Sequence, residues 1–366
     1  MSLALVNLLQ DRLRLTLSVA GVALAIMMVL ILNGFLSGML RQFASYLDHS
    51  PGSIVVAQDG VRNLLGATSL LPRETETVVR KVEGVERAVP ILSQFVILDL
   101  HDRKQPAYLV GYDPETGGGP WRLSEGREPG GDDELVFDTV LAQRHGIETG
   151  DRLEVMGRRF RVVGLSEETT SWMTSFFFMR KSAVESLLRT PDLTSFLLVG
   201  RSPDISERTL LHRLQDISGT EALSKRQMIS NDARLFARYF SAPIQLMGAI
   251  AFLVGTLVIG LVIYTATVER QREYGTLKAI GARNRVLYRV VVGQALVVAG
   301  AGSLAGVVLA ILAARLIMDV RPQFLILFEP SMVAGTLGAG LAMAVIAAVF
   351  PARIMARLAP AEVFRK

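Results

Sequence analysis

The chain of 366 residues contains no cysteine. Disulfides, thiol catalysis and cysteine-held metal sites are therefore excluded, and a domain outside the cell would hold together by packing alone. Histidine is scarce as well. His49, His101, His145 and His212 are scattered without metal-ligand spacing, and each is read as a structural histidine. No Gly-x-x-x-x-Gly-Lys-Ser/Thr loop occurs, so the chain has no P-loop of its own. His-Glu-x-x-His and Gly-x-Ser-x-Gly are also missing, and nothing in the sequence marks an intrinsic active site.

Charge is missing from four long apolar runs: Leu15–Leu36, Ala242–Val268, Val290–Ala314 and Pro330–Phe350. Proton- or ion-driven carriers normally keep acidic or basic side chains inside the membrane as a relay. The amide side chains in these runs, Asn33, Gln245 and Gln294, need no role beyond hydrogen bonding between helices. Energy for any transport must then come from elsewhere.

What is present is apolar. Half the residues are hydrophobic and the mean hydropathy is +0.38, which is too high for an ordinary soluble chain of this length. Each run is long enough to cross a hydrocarbon core of about 30 Å. The first is too long for the apolar part of a signal peptide, and no clean cleavage site follows it. Residues 1–14 read as a short interfacial helix leading into it. Small residues four apart, Gly34 with Gly38 and Gly302 with Gly306, allow helices to approach closely.

Charge placement gives an orientation. Residues 1–14, 269–289 and 351–366 together hold twelve Lys/Arg against four Asp/Glu, whereas 41–241 holds twenty-five against twenty-eight. Basic residues concentrate in short loops on the cytoplasmic side of membrane proteins. Both termini and the 269–289 loop are therefore expected in the cytoplasm and the middle segment outside. Topology accounts for the basic clusters, and no nucleic-acid signature is present.

The 41–241 segment has a mixed pattern. Strands are predicted at Ile54–Ala57, Val85–Leu92, Phe95–Leu100, Ala107–Tyr112, Glu134–Phe137, Leu153–Met156 and Phe160–Leu165. Helices are predicted at Arg73–Val82, Thr139–His145, Ser182–Arg189, Ser206–Ile217 and Ser224–Phe240. A turn is expected at Gly157-Arg158, and a smaller lobe near 118–172. Trp172, Met173, Phe176, Phe177 and Phe178 form an aromatic cluster, read as a buried strand with its flanks; the other reading is a hydrophobic surface for an apolar substrate or a partner.

Between the second and third runs lies Glu269-Arg-Gln-Arg-Glu-Tyr-Gly-Thr-Leu-Lys-Ala-Ile-Gly-Ala282. So charged a stretch cannot sit at the middle of a bilayer, where each Arg, Lys or Asp costs about 2.5–3.5 kcal/mol. As a helix it would gather Tyr274, Leu277 and Ile280 on one flank and could pair Arg270 with Glu273. One reading is a solvated turn that only sets topology. The other is a helix that docks on a cytoplasmic partner, apolar flank inward and charges at the rim.

This stretch resembles the signature of FtsX/MacB-like ABC transporter permeases, Glu-Arg-x-Arg-Glu-[hydrophobic]-Gly-x-Leu-[Arg/Lys]-Ala-[hydrophobic]-Gly-Ala, with Tyr274 where an aliphatic residue is usual. Gly146-Ile-Glu-Thr-Gly-Asp-Arg-Leu-Glu-Val155 with Phe160-Arg-Val-Val-Gly-Leu165, and Trp121–Gly126 before them, resemble a run in MacB-like periplasmic domains. The tail from Pro351 resembles the family's C-terminal ending. Within the superfamily the DevC-like branch is the nearest.

The resemblance implies a polytopic α-helical membrane protein of the type VII, mechanotransmission class. Four transmembrane helices would carry a large mixed α+β extracytoplasmic domain, the MacB-like periplasmic core, inserted between helices 1 and 2. The expected boundaries are 1–14 for the N-terminal helix, 15–40 for helix 1, 41–241 for the outer domain with stalk ends, and 242–268 for helix 2. The coupling helix and loop follow at 269–289, then helix 3 at 290–314, an external loop at 315–329, helix 4 at 330–350 and a cytoplasmic tail at 351–366. The implied function is the non-catalytic permease subunit of an exporter of a hydrophobic or amphiphilic substrate (lipid, glycolipid, haem or drug). The alternative is an FtsX-like regulator of cell-wall hydrolases. Implied partners are two copies of an ABC ATPase, which bind the ATP and Mg while this chain binds no cofactor, a second copy of this permease, membrane lipids and a HlyD-like adaptor. The implied location is the inner membrane. The ATPase contact falls on Glu269, Arg270, Arg272, Glu273, Gly275, Leu277, Lys278 and Gly281.

Overall fold

The computed structural model describes residues 12–100, 103–171, 175–269, 271–280 and 282–357. The chain forms two compact units, one from residues 1–37, 240–321 and 326–366, the other from 38–239 and 322–325.

Among the described residues, four helices are long and apolar enough to cross a membrane: α1 (Arg12–His49), α6 (Lys225–Glu269), α8 (Asn284–Val320) and α9 (Pro330–Arg357). A short helix, α7 (Gln271–Ala279), lies between α6 and α8. In the first unit the helices meet through small side chains, with Ala295, Ala299, Ala310, Ala344, Ala347 and Ala348 all buried. In lipid, close packing replaces the hydrophobic effect as the force between helices. Gly302 and Gly306 show why a small residue recurs four apart. A Cβ on Gly306 would stand 2.7 Å from the Ala23 carbonyl oxygen, and one on Gly302 2.5 Å from the Val22 Cβ. On α6, Leu246, Ile250, Leu253, Leu257 and Leu261 stay exposed at helical spacing, as a lipid-facing stripe does. Helix α8 continues past Ala314 through Arg315 and Asp319 to Val320, so the connection to α9 is shorter than the expected 315–329.

The second unit is built on a ten-stranded sheet of order β12-β1-β11-β3-β4-β9-β6-β8-β5, with β7 also paired to β8. Its strands are β1 (Ile54–Gln58), β3 (Val85–Leu100), β4 (Arg103–Tyr112), β5 (Leu123–Gly126), β6 (Glu134–Asp138), β7 (Arg152–Val155), β8 (Arg158–Ser166), β9 (Ser175–Arg180), β11 (Phe196–Arg201) and β12 (Thr220–Ser224). Pairs β4/β9 and β6/β8 are parallel and the others antiparallel. A separate two-stranded ribbon joins β2 (Leu71–Pro72) and β10 (Leu193–Thr194).

Alternation along the strands supplies two buried faces. On one, Tyr108, Val110, Phe176, Phe178, Val55 and Leu198 pack with Tyr46 and Leu47 of α1 and Met228 of α6. The opposite face is covered at one end by α3 (Thr139–His145) and α4 (Lys181–Leu188), and at the other by α2 (Arg73–Arg80) and α5 (Glu207–Gln215). The Tyr46 hydroxyl donates to the Gly118 carbonyl at 2.7 Å, and Phe43 stacks on Phe236 at 3.9 Å between ring centroids.

Two expectations are corrected. The two strands predicted on either side of Ser93 and Gln94 are one strand, because the Ser93 polar groups are satisfied where they stand. Its N–H donates to the Ser195 hydroxyl at 3.0 Å and its hydroxyl bonds Tyr108 at 3.1 Å. Residues 118–172 do not form a lobe: Leu135 and Val136 pair with Met179 and Phe178, which carries β5 to β8 into the common sheet. The helix predicted from Ser224 and the span predicted from Ala242 form one continuous helix that runs through Pro243 to Glu269.

Candidate functional site

The charged stretch folds as an elbow. Glu269 is the last residue of α6, Arg272, Glu273, Gly275, Leu277 and Lys278 fall on α7, and α8 starts at Asn284 after an Arg283 cap in extended conformation. Arg270 and Gly281 lie outside the described residues. Arg272, Glu273, Thr276 and Ala279 are exposed, whereas Gly275 is buried. The Thr276 hydroxyl donates to the Arg272 carbonyl at 2.9 Å, and the Ile280 N–H to the Thr276 carbonyl at 3.1 Å, which closes the helix. Glu273 in the first turn suits the positive end of the helix dipole. Of the apolar flank, the Ile280 side chain is described, and it is 80% exposed.

The exposed basic stretch continues beyond the residues singled out in the sequence. Arg283, Arg285 and Arg289 at the start of α8 are exposed too, with Val286 and Tyr288 exposed among them. The excess of basic over acidic residues across 269–289 was the available signal; it served for topology and not for contact. Among the described residues of 271–289, the exposed guanidinium groups of Arg272, Arg283, Arg285 and Arg289 are thus interspersed along the chain with the exposed aliphatic side chains of Ile280 and Val286. Exposed basic and apolar side chains of this kind suit a groove with an acidic rim.

The aromatic cluster is resolved differently. Trp172 and Met173 lie outside the described residues. Phe176, Phe177 and Phe178 are each at most 1% exposed, in a strand with neighbours on both edges and cover on both faces. Phe177 points to the α3/α4 side, Phe176 and Phe178 to the α1/α6 side. A substrate or partner surface at these three residues is therefore ruled out, and the buried strand stands.

One buried carboxylate could suggest acid–base chemistry. Asp138 is fully buried, and burial pushes its carboxyl up. Its oxygens are engaged by the Leu141 N–H at 2.9 Å and by the Thr169 and Thr170 hydroxyls at 2.7 and 2.8 Å. It caps α3 and ties the loop after β8 to β6, which is a structural task.

The comparisons agree with this reading of a membrane subunit. The MacB-like periplasmic core domain matches residues 15–224, and the FtsX-like permease C-terminal domain matches residues 246–360. The chain is 26% identical over 339 residues to an uncharacterized ABC transporter permease of Mycobacterium tuberculosis, covering 92% of this chain and 89% of that one. It is 25% identical over 307 residues to another from Mycobacterium bovis, covering 83% of each. Among solved structures, the periplasmic region of MacB from Actinobacillus actinomycetemcomitans is similar at 15% identity and a TM-score of 0.37, over 50% of this chain and 92% of that one.

Proposed function

The chain belongs to the FtsX/MacB-like ABC transporter permeases, and on that premise we propose that it couples ATP hydrolysis by a separate ABC ATPase to export of a hydrophobic or amphiphilic substrate. In this reading it sits in the inner membrane as a homodimer with both termini cytoplasmic. The second unit stands outside, where a HlyD-like adaptor could join it. ATP and Mg belong to the ATPase.

The observation that carries the reading is the exposed elbow from α7 into α8. It presents Arg272, Glu273, Ile280, Arg283 and Arg285 between two membrane helices. An ATPase seated there would move it on closing. Force then needs a stiff path outward. Helix α1 has 38 residues and α6 has 45, about 57 and 68 Å at helical rise, where about 30 Å suffices to cross the core. Both therefore continue well beyond the bilayer, as levers of mechanotransmission would.

Replacing Arg272 and Glu273 together by alanine is expected to abolish co-purification of the ATPase while the chain stays in the membrane. Undiminished co-purification would remove the elbow from the proposal.

A further inference from the structure

A cleft of about 500 Å³ opens in the second unit between α6 and the loop that follows β1. Arg62, Asn63, Gln227, Asn231, Arg234 and Arg238 supply its polar lining. The four from α6 recur at i, i+4, i+7 and i+11, so they share one helix face. The loop is fastened along that face. The Asn231 carboxamide donates to the Arg62 carbonyl at 3.0 Å. Asp232, the next residue round the helix, accepts the Leu64 and Leu65 N–H groups at 3.2 and 3.3 Å. A Cβ on Gly66 would run into the Leu235 side chain, so the loop lies close.

The cleft keeps two guanidinium groups that are not matched by a carboxylate. Arg234 is oriented by neutral acceptors: the Ser230 carbonyl at 3.2 Å, the Ser230 hydroxyl at 3.1 Å and the Asn231 carboxamide oxygen at 2.9 Å. Arg62 is paired with Glu221 at 3.1 Å. Arg238 is exposed. Three guanidinium groups thus stand against two carboxylates, Glu221 paired with Arg62 and Asp232 turned to the loop amides, which leaves Arg234 and Arg238 with no acidic partner among the described residues. The planar guanidinium forks of Arg234 and Arg238, four residues apart on one helix face, suit a phosphate-type anion. Leu223 and Leu235 add an apolar wall.

We propose that this cleft binds the phosphate head group of an anionic amphiphile. Its place along α6 selects a lipid over a soluble anion. Arg238 precedes the apolar run at Ala242 by about 6 Å of helix rise, the depth of the head groups. Tyr239 beside it is 68% exposed, as aromatic residues at that level are. Arg234, Asn231 and Gln227 then continue the donors away from the bilayer, a ladder along which a head group could be lifted. The inference deepens the export reading and rests on it for the direction of movement.

The test is calorimetric titration of the purified full chain in zwitterionic detergent, without ATPase or nucleotide. The probes are dihexanoyl phosphatidate, the net-neutral dihexanoyl phosphatidylcholine and inorganic phosphate. Phosphatidate is expected to bind tightest, and Arg234→Gln with Arg238→Gln to weaken it about a hundredfold, roughly tenfold for each charge-assisted contact. If the double variant does not fold, Arg238→Gln alone should cost about tenfold, since its side chain is exposed. Inorganic phosphate binding as tightly as phosphatidate would overturn the head-group assignment. Absence of phosphatidate binding, or binding unchanged in the variants, would overturn the site. ATPase co-purification, measured on the same preparations, fails separately if the transporter reading is the one at fault.

Discussion

Asp232 offers a prediction whose size follows from its surroundings. The side chain is 2% exposed on α6 and holds the loop after β1 by the Leu64 and Leu65 N–H groups. The same loop is held from the sheet, where the Tyr108 hydroxyl donates to the Leu64 carbonyl at 2.7 Å. Burial pushes the Asp232 carboxyl from 3.8 up to about 6, against the pull of the two backbone N–H groups and Asn63. For an acid raised in the folded state, the native protein holds the proton between these limits and the unfolded chain does not. Its contribution to stability is therefore present in full below 3.8 and is lost as the pH rises through about 6. The gap corresponds to about 3 kcal/mol. Asp232→Asn removes the titration and leaves one oxygen to accept an N–H. Relative to that variant, the native protein should gain about 3 kcal/mol on acidification from about pH 7.5 to about pH 3. For a unit of this size that is about 6–12 °C in Tm. Tryptophan fluorescence during thermal unfolding reads it, since Trp121 and Trp172 both fall in the 38–239 segment. Parallel pH profiles for the two proteins would refute the argument, because they would mean that the carboxylate is not desolvated. Amide exchange at Leu64 and Leu65 would locate the effect.

Other expectations are simpler. Phe177→Ala, buried in a central strand, should destabilise the second unit by about 3–5 kcal/mol in denaturant titration. Gly306→Leu drives a side chain into the Ala23 carbonyl and Ile26, and should lower the detergent-resistant melting temperature, overpacking costing about 1–3 kcal/mol. Ile280→Ala touches a side chain 80% exposed; thermal stability should be unchanged while ATPase co-purification falls. The native absence of cysteine makes topology directly readable: Glu273→Cys and Glu115→Cys, both at exposed positions, should label from opposite sides of the membrane.

Much of this molecule was legible from residue order. Apolar runs announce membrane helices because lipid tolerates no unsatisfied charge, and the density of Arg and Glu from Glu269 onward forces an elbow between two of them. The strands predicted at Leu153–Met156 and Phe160–Leu165 are β7 and β8, with β7 displaced by one residue, β8 longer at both ends, and the turn at Met156 and Gly157, both at positive φ, one residue earlier than expected. Three consecutive phenylalanines were ambiguous for a definite reason. A run apolar at every position fits a strand covered on both faces and an exposed apolar surface equally, and only the helices on either side of β9 decide. The strand could not be seen to run through Ser93 from local order, because the partners that satisfy it, Ser195 and Tyr108, come from other parts of the chain.

Local order thus determined which segments enter lipid and where the chain turns back, since each depends on side chains within one helix length. Tertiary structure alone decided what meets across long separations. Leu64 and Asp232 are far apart in sequence, as are Arg62 and Arg238. Their hydrogen bonds and shared cleft exist because β1 and the start of α6 both lie at the β12 end of one sheet. Loop closure over that many residues leaves no periodic trace in the sequence, so the polar site it builds becomes visible only after folding.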